Sequence, residues 1–411
     1  MCYPRAMPEF VPFAGLRYNL EKCSPDDVIA PPYDVVEENE RVLLAQRSPY
    51  NAIHVELPVP DEIARLDRYA HAARIFAAWQ SNGGVLRDDA PSFYVYRMRF
   101  LDGTATPRST TGVLGALRID EANGHEVLPH EQTMPKPKGD RLELMRACRA
   151  NLSPIWGLSL SPGLAQACER STKKAMPTMS ATDDEGTVHE LWPISDQGAL
   201  RGIADLVCST PVVLADGHHR YETARYYRNE RRSELGDKPG EHDYVMAFVV
   251  ELSEEELFVQ AIHRLVSGWA AEIDLEGDLG GSFEVLPGPL DLDDLARAMV
   301  EHGALGCVRA HANLLLIPRP SLDAAADADL DSSRLDVFLA SMTPCELSYQ
   351  HGLKNVHDAI ANGTAQVAFL LRPATVRQIA ETAHSGRLMP PKTTFFQPKP
   401  RTGMVYRSVR S

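Results

Sequence analysis

The sequence predicts an α/β (α+β) fold, because apolar runs of strand length alternate with segments of helical spacing along most of the chain. The clearest unit covers residues 212–224, where a β-branched apolar run breaks at Asp-Gly and continues with helical spacing. Near the C-terminus, a predicted strand at residues 365–371 and a predicted helix at residues 376–384 repeat this alternation. A chain of 411 residues is also long enough for two or three domains.

Residues 1–120 are predicted to form an N-terminal α/β segment. Within it, the run Ala-Pro-Pro-Tyr-Asp-Val contains two prolines that exclude a helix, and the side chain of Asp34 can bond to neighbouring backbone amides. We interpret this run as an ordered turn. It is either a rigid connector or a segment in which Asp34 takes part directly in the chemistry. Helical spacing then covers residues 61–80, and residues 93–100 and 111–119 are predicted strands.

A polar cluster within residues 127–133 directly follows the end of a predicted strand. Glu131 has the chemistry of a general base, and His130 and Arg141 are candidates to orient it or to hold an anion. The alternative is a capping arrangement, in which Thr133 or Asp140 caps a helix and Arg141 pairs with an acid. The loop at residues 134–139 is basic and stiffened by proline, so it is interpreted either as a moving lid or as a solvated connection.

The predicted strand that ends at Asp216 turns at Gly217, a residue type that tolerates the backbone geometry of a tight turn. The first amides of the following helix have no acceptor within the helix, so together with His218, His219 and Arg220 they predict an anion site. A purely structural turn is the alternative, but such a turn has no use for three potential cations. Metal binding by both histidines is less favoured, because adjacent residues of a helix do not face each other.

The C-terminal part, residues 267–411, is predicted to be a separate α/β domain, because the composition shifts to Gly, Asp and Leu over residues 267–289. Its tail, residues 389–399, interleaves aromatics and prolines with Lys392 and Thr393. This pattern predicts either a packed segment that places a cation in a pocket or a strand that closes the C-terminal sheet.

Charge and cysteine content restrict the partners and the compartment. The net charge of −14 argues against a general affinity for nucleic acid or an anionic membrane, and no apolar run approaches the length of a membrane span. Seven cysteines are scattered without a close pair, so neither zinc-ligand spacing nor a disulfide framework is visible. Because the first residues also lack the apolar core of a signal peptide, we expect a cytoplasmic protein without nucleic-acid or membrane partners.

Five short motifs occur in order along the chain: Ala-Pro-Pro-Tyr-Asp-Val, Pro-His-Glu-x-Thr, Asp-Arg-Leu, Ala-Asp-Gly-His-His-Arg-Tyr-Glu-Thr-Ala and Met-Pro-Pro-Lys. On these motifs the chain resembles a widespread bacterial and archaeal family catalogued as a domain of unknown function. The pair Pro-His-Glu and Asp-Gly-His-His-Arg is in turn similar to the ParB/sulfiredoxin fold, which includes free serine kinases. This resemblance implies a ParB/sulfiredoxin-like nucleotide-binding domain at residues 121–266, between the N-terminal and C-terminal α/β segments.

The resemblance also implies an activity and the roles of individual residues. As in free serine kinases, a phosphoryl group is expected to move from ATP or ADP to the hydroxyl of free L-serine or a similar amino acid, with magnesium as cofactor. Glu131 would deprotonate the hydroxyl, and Asp216 would hold magnesium or fix His218. The implied catalytic residues are Glu131, His130 and Arg141. The implied phosphate-binding residues are Asp216, Gly217, His218, His219 and Arg220. The implied substrate-binding residues are Asp34, Thr133, Lys392 and Thr393.

Two other functions stay open from the sequence. A ParB-like regulatory protein that responds to a nucleotide would use the same anion site, although the acidic balance and the lack of a basic helix-turn-helix argue against DNA as its partner. A hydrolase that acts on phosphoserine would use that site as well. The sequence contains neither a Walker loop nor a Rossmann fingerprint, so any nucleotide must bind through a different geometry.

Overall fold

A computed structural model describes residues 7–121, 125–129, 139–270, 273–326 and 329–410, and it confirms a mixed α+β protein. The polypeptide folds into two compact units. The first unit contains the described residues up to 129, those from 139 to 258 and those from 398 onward, and the second contains those from 259 to 397. None of the helices in these ranges combines the length and the hydropathy of a membrane span.

A nine-stranded mixed sheet runs through the first unit. The first twelve strands of the chain are β1 (Phe10–Val11), β2 (Leu16–Tyr18), β3 (Val85–Arg87), β4 (Phe93–Leu101), β5 (Pro107–Arg118), β6 (Val127–Pro129), β7 (Ala150–Asn151), β8 (Ile155–Ser159), β9 (Met179–Thr182), β10 (Val188–Ile194), β11 (Val212–Asp216) and β12 (Tyr244–Glu251). Eight of them follow the order β6-β11-β8-β12-β5-β4-β10-β9, and β1 pairs with β5. Strands β2 and β3 pair with each other outside this sheet.

The first eight α-helices also belong to this unit. They are α1 (Pro25–Val28), α2 (Glu38–Arg47), α3 (Ile53–Glu56), α4 (Arg68–Ser81), α5 (Gly139–Cys148), α6 (Leu164–Thr172), α7 (Gln197–Cys208) and α8 (His218–Leu235). The sequence predicted a helix over residues 61–80, but α4 begins only at Arg68. The reason is a cap, because the side chain of Asp67 accepts hydrogen bonds from the amides of Tyr69 and Ala70.

The middle strands of the nine-stranded sheet are deeply buried, which explains why β12 is a continuous apolar run and not an alternating one. Residues 245–250 of β12 are all buried. Helices α6, α7 and α8 contribute buried side chains, for example Cys168, Val207 and Tyr227, to the same apolar cluster as the sheet. This packing holds α8 against β8 and β12.

The second unit contains a six-stranded antiparallel sheet in the order β15-β17-β16-β19-β14-β18, and β13 pairs with β20. The strands are β13 (Phe258–Ala261), β14 (His263–Ser267), β15 (Phe283–Gly288), β16 (Leu305–Val308), β17 (Asn313–Pro318), β18 (Glu346–Gln350), β19 (Val367–Leu370) and β20 (Thr394–Gln397). The helices are α9 (Leu275–Ser282), α10 (Leu292–His302), α11 (Pro320–Ala325), α12 (Asp331–Ser341), α13 (Leu353–Ala361) and α14 (Val376–Ser385). Phe338 packs edge-on against Phe283 and Phe369 in the core of this unit.

The last strand, β21 (Arg407–Ser408), belongs to the first unit and pairs with β7. The strand predicted in the C-terminal tail forms as β20, but it pairs with β13 and does not join the six-stranded sheet. Strands from both sides of residue 120 join the nine-stranded sheet, and the division into residues 1–120, 121–266 and 267–411 stays a prediction. The ParB/sulfiredoxin-like assignment also stays a prediction.

Candidate functional site

Strands β6 and β11 lead into the two polar motifs that the sequence singles out, and they pair in parallel. In their register, Pro129 at the end of β6 lies opposite Leu214 of β11. Because the C-terminal ends of parallel neighbours lie at the same edge of a sheet, both motifs start from that edge. Three predicted site residues lie outside the described residues, namely His130, Glu131 and Thr133.

Helix α8 starts directly after β11, and Gly217 makes the turn between them. Gly217 has a φ of 85°, in the left-handed region, and a Cβ at this position would lie 3.2 Å from the Cα of Ile155. The helix is 18 residues long, and its first amides have no acceptor within the helix. The predicted turn and helix start are therefore present, with His218, His219 and Arg220 in the first turn, and phosphate binding there stays a prediction.

Asp216, the last residue of β11, binds two cationic side chains. Its Oδ1 accepts a hydrogen bond from Lys399 Nζ at 2.7 Å, and its Oδ2 accepts one from Arg220 Nη2 at 2.6 Å. Burial by itself would raise the pKa of Asp216, but Lys399 and Arg220 together hold that pKa well below its usual range. The carboxylate is therefore ionised at neutral pH, and it ties the start of α8 to the C-terminal segment of the first unit.

Arg220 extends this ion pair toward β8, because its Nη1 also donates to the carbonyl oxygen of Pro154. Burial lowers the pKa of Arg220, but the carboxylates of Asp216 and Asp34 raise it by more. The sequence predicted hydrogen bonds from neighbouring backbone amides to Asp34, and within the described ranges this is wrong. The side chain of Asp34 is exposed, and no backbone amide of the described residues donates a hydrogen bond to it, while its contact with a substrate stays a prediction.

Arg141, in the first turn of α5, belongs to a second charged group. Its Nη1 donates to the carbonyl oxygen of Glu56 at 2.7 Å, and its Nε donates to Asp140 Oδ2 at 2.8 Å. The guanidinium carbon lies 4.2 Å from the centroid of the Tyr33 ring. Pairing with an acid is what the capping alternative predicted for Arg141, whereas its catalytic role is not tested by these contacts.

A cavity of about 50 Å³ adjoins this charged group. Glu56, Arg141 and Ser153 line it together with Arg220 from α8. Glu56 is 1% exposed, and its Oε1 accepts a hydrogen bond from Ser153 Oγ at 3.0 Å. The cavity therefore combines a buried carboxylate with two guanidinium groups.

Neither Glu56 nor Lys399 was identified from the sequence. Glu56 is followed by Leu-Pro and Lys399 stands between two prolines, and neither context is a signature of a functional site. The only available signal was the charge of each side chain beside residues that restrict the backbone. Their partners are far away in the sequence, so local pattern had no means to reveal them.

In the second unit, a buried arginine holds the segment that carries Lys392 and Thr393. Arg264 is 1% exposed, and it donates to the carbonyl oxygens of Lys392 at 2.8 Å and of Pro391 at 3.1 Å. Lys392 is exposed and has a φ of 58°, a strained value for a residue with a Cβ. Thr393 is buried, and its Oγ1 donates to the carbonyl oxygen of Pro390 at 2.8 Å. Substrate binding by Lys392 and Thr393 stays a prediction.

The described residues do not fit a protein-held magnesium ion. Among them, no three His, Cys, Asp or Glu side chains come close enough to share a metal. Magnesium requires several oxygen ligands, but both oxygens of Asp216 already accept hydrogen bonds from cationic side chains. Anchoring of Arg220 and Lys399 therefore fits Asp216 better than the predicted metal binding.

Three solved structures show what the chain is similar to. A conserved hypothetical protein from Pyrococcus furiosus is 16% identical, with a TM-score of 0.36, and the match covers 68% of this chain and 90% of that chain. A free serine kinase in complex with AMP is 16% identical, with a TM-score of 0.36, over 66% and 83% of the two chains. SbnI with a C-terminal truncation, from Staphylococcus aureus, is 12% identical, with a TM-score of 0.35, over 70% and 85%. TM-scores of this size decide neither a shared fold nor a function.

A family model gives the more extensive match. No curated protein matches the chain significantly. The model of the family described as protein of unknown function (DUF1015) matches residues 10–338, which is most of the chain and includes both polar motifs. The family resemblance predicted from the motifs is therefore confirmed, and the chain belongs to the DUF1015 family of proteins of unknown function.

Proposed function

We propose that this protein is a small-molecule kinase that transfers a phosphoryl group from ATP or ADP to the hydroxyl of free L-serine or a similar amino acid. The observation that carries the proposal is the parallel pairing of β6 with β11. Through it, the Pro-His-Glu motif and the Asp-Gly-His-His-Arg motif start from neighbouring strands at one edge of the sheet. A general base and a helix N-terminus suited to phosphate are the two parts that such a reaction needs.

In the proposed site, Gly217 and the first amides of α8 bind the nucleotide phosphates together with His218, His219 and Arg220. Phosphoryl transfer depends mostly on positioning and on neutralising charge, and helix amides and a guanidinium supply both. Asp216 supports this role, because its carboxylate holds the Arg220 guanidinium beside the start of α8. Magnesium would arrive with the nucleotide phosphates, and no step is assigned to a protein-held ion.

Glu131 is the proposed general base. The substrate hydroxyl oxygen bonds to the terminal phosphorus, the bond from that phosphorus to the bridging oxygen of the nucleotide breaks, and the hydroxyl proton passes to the Glu131 carboxylate. The products are the phosphorylated amino acid and a nucleotide with one phosphate fewer. His130 and Arg141 are proposed to orient the base. The residues proposed to contact the amino acid are Asp34, Thr133, Lys392 and Thr393.

Direct assay of the product tests the proposal. The purified full chain is incubated with L-serine, magnesium chloride and either ATP or ADP, and phosphoserine is measured by mass spectrometry. We expect phosphoserine, and we expect Glu131→Gln to lower turnover by ~10²–10⁴ while it keeps its affinity for the nucleotide. Glu143→Gln is the matched control, because Glu143 is exposed on α5 and pairs with Arg146.

Three results would change the conclusion. Full activity of Glu131→Gln would remove Glu131 from the mechanism. A lack of phosphoserine with both nucleotides would reject the serine kinase. Release of inorganic phosphate from phosphoserine without any nucleotide would instead identify the hydrolase.

A further inference from the structure

Glu56 is a buried carboxylate that the proposed phosphoryl transfer does not use. It is the last residue of α3, and it is 1% exposed. Its Oε1 accepts a hydrogen bond from Ser153 Oγ at 3.0 Å, and Arg141 Nη1 lies 4.0 Å from the same oxygen. Throughout the described ranges, no amide or side chain donates a hydrogen bond to its other oxygen, Oε2.

A buried carboxylate is costly unless donors or cations replace its lost hydration. Burial raises the pKa of Glu56 above its usual value, and the attraction of Arg141 and Arg220 only reduces that rise. The resident cations therefore compensate the charge incompletely. A further cation beside Oε2 would be stabilised there.

The cavity beside Glu56 has room for a small charged group. Its volume is about 50 Å³. A single water needs roughly 10–15 Å³ of such volume, so the cavity admits a group of a few heavy atoms. Arg141 and Arg220 line the same cavity, and a guanidinium has more N–H donors than the described contacts of either residue use. Donors for an anionic group are therefore present beside an acceptor for a cationic one.

We infer that this cavity binds the ammonium and the carboxylate of a free amino acid, with Glu56 accepting hydrogen bonds from the ammonium. One carboxylate beside two guanidinium groups complements a small zwitterion, whereas a purely anionic or purely cationic ligand leaves one side unmatched. The inference rests on the proposed function for the class of its substrate. It makes Glu56 the residue that selects an amino acid over the corresponding hydroxy acid, and it places Arg220 next to both the substrate and the phosphates.

Calorimetric titration of the full chain tests the inference, with and without ADP. The ligands are L-serine, L-homoserine and glycerate, which has a hydroxyl in place of the ammonium of serine. We expect the wild type to bind at least one of the two amino acids and to bind glycerate ~10–100-fold more weakly, the loss typical of hydrogen bonds to a charged group. Glu56→Gln should lower the amino-acid affinity by a similar factor and leave the glycerate affinity unchanged.

Glu38→Gln is the matched control, because Glu38 is exposed on α2 and pairs with Arg41. Its ratio of amino-acid to glycerate affinity should equal that of the wild type. The ratio compares two ligands on one protein, so a partial loss of folded protein does not change it. The comparison of ligands on the wild type also tests the inference if Glu56→Gln does not fold.

Equal affinity of the wild type for the amino acid and glycerate would overturn the inference. So would a lack of binding of both amino acids, or an unchanged ratio in folded Glu56→Gln. A failure of this inference can be distinguished from a failure of the kinase proposal. Amino-acid binding that depends on Glu56, without any formation of phosphoserine, would reject the kinase and retain this inference. Formation of phosphoserine by Glu56→Gln with an unchanged KM for serine would retain the kinase and reject this inference.

Discussion

Lys399 Nζ lies 2.7 Å from Asp216 Oδ1, although 183 residues separate the two in the chain. Asp216 ends the strand before the candidate phosphate-binding turn, and Lys399 belongs to the segment that returns to the first unit after the whole second unit. The contact therefore forms only when the C-terminal segment has folded into the first unit. The charge balance of the turn depends on that segment.

Lys399→Met is expected to lower the free energy of unfolding by about 1–3 kcal/mol, because Asp216 keeps its negative charge and loses one of its two cations. Urea denaturation measures the change. Lys354→Met is the control, since Lys354 and Asp358 form an ion pair whose side chains are 85% and 49% exposed, and such pairs contribute at most about 1 kcal/mol. Equal losses in the two variants would contradict the anchoring role of Asp216.

Gly217→Ala is expected to destabilise the protein by about 1–3 kcal/mol. The backbone of the new alanine would have to adopt a φ of 85°, and its Cβ would lie 3.2 Å from the Cα of Ile155. Gly202→Ala, within α7, is the comparison, because in the described residues no heavy atom beyond its chain neighbours and the adjacent backbone of α7 lies within 4 Å of its added Cβ. That variant should be more stable than the wild type by about 0.5–1 kcal/mol, through the higher helix propensity of alanine. A Gly217→Ala protein as stable as the wild type would show that the turn does not need glycine.

Arg264→Lys tests how the Lys392 segment is held. A lysine ammonium lacks the planar fork with which Arg264 reaches the carbonyl oxygens of both Pro391 and Lys392. We expect faster hydrogen exchange at the amides of residues 392–397 and a loss of about 1–3 kcal/mol of stability. Arg297→Lys on α10, where the side chain is 74% exposed, should change neither quantity. Exchange at the wild-type rate in Arg264→Lys would mean that other contacts hold the segment.

Glu256 gives the stability a pH dependence of definite sign. Burial first, and then the charges of Glu251 and Glu169, raise its pKa to about 7 against the opposing hydrogen bond from the Thr111 amide. Since its pKa in the unfolded chain is about 4.3, the folded state binds this proton more tightly, and the resulting stabilisation is lost as pH rises from about 4 to 7. The stability of the wild type relative to Glu256→Gln should therefore fall between about pH 4 and pH 7 in urea denaturation. A relative stability that rises with pH would contradict the raised pKa.

The candidate site was predictable in those parts that depend on neighbouring residues. The strand β11, the turn at Gly217 and the helix α8 followed from apolar spacing and from the conformational freedom of glycine, both of which act over a few residues. Where a local side-chain contact overrode the spacing, as at the cap of Asp67, the predicted start of α4 was wrong. Arg141 had two open interpretations, and the geometry shows its pairing with Asp140.

Long-range partners could not be read from the amino-acid order. The pairing of β6 with β11 depends on the register of a sheet, and the contacts of Asp216 with Lys399 and of Glu56 with Ser153 join positions that are far apart in the chain. Spacing and propensity carry information about the next few residues, so they predicted the secondary structure and the chemical type of the motifs. Which charged groups meet is determined by the packing of whole elements, because only the folded chain brings such distant side chains within bonding distance and removes them from water.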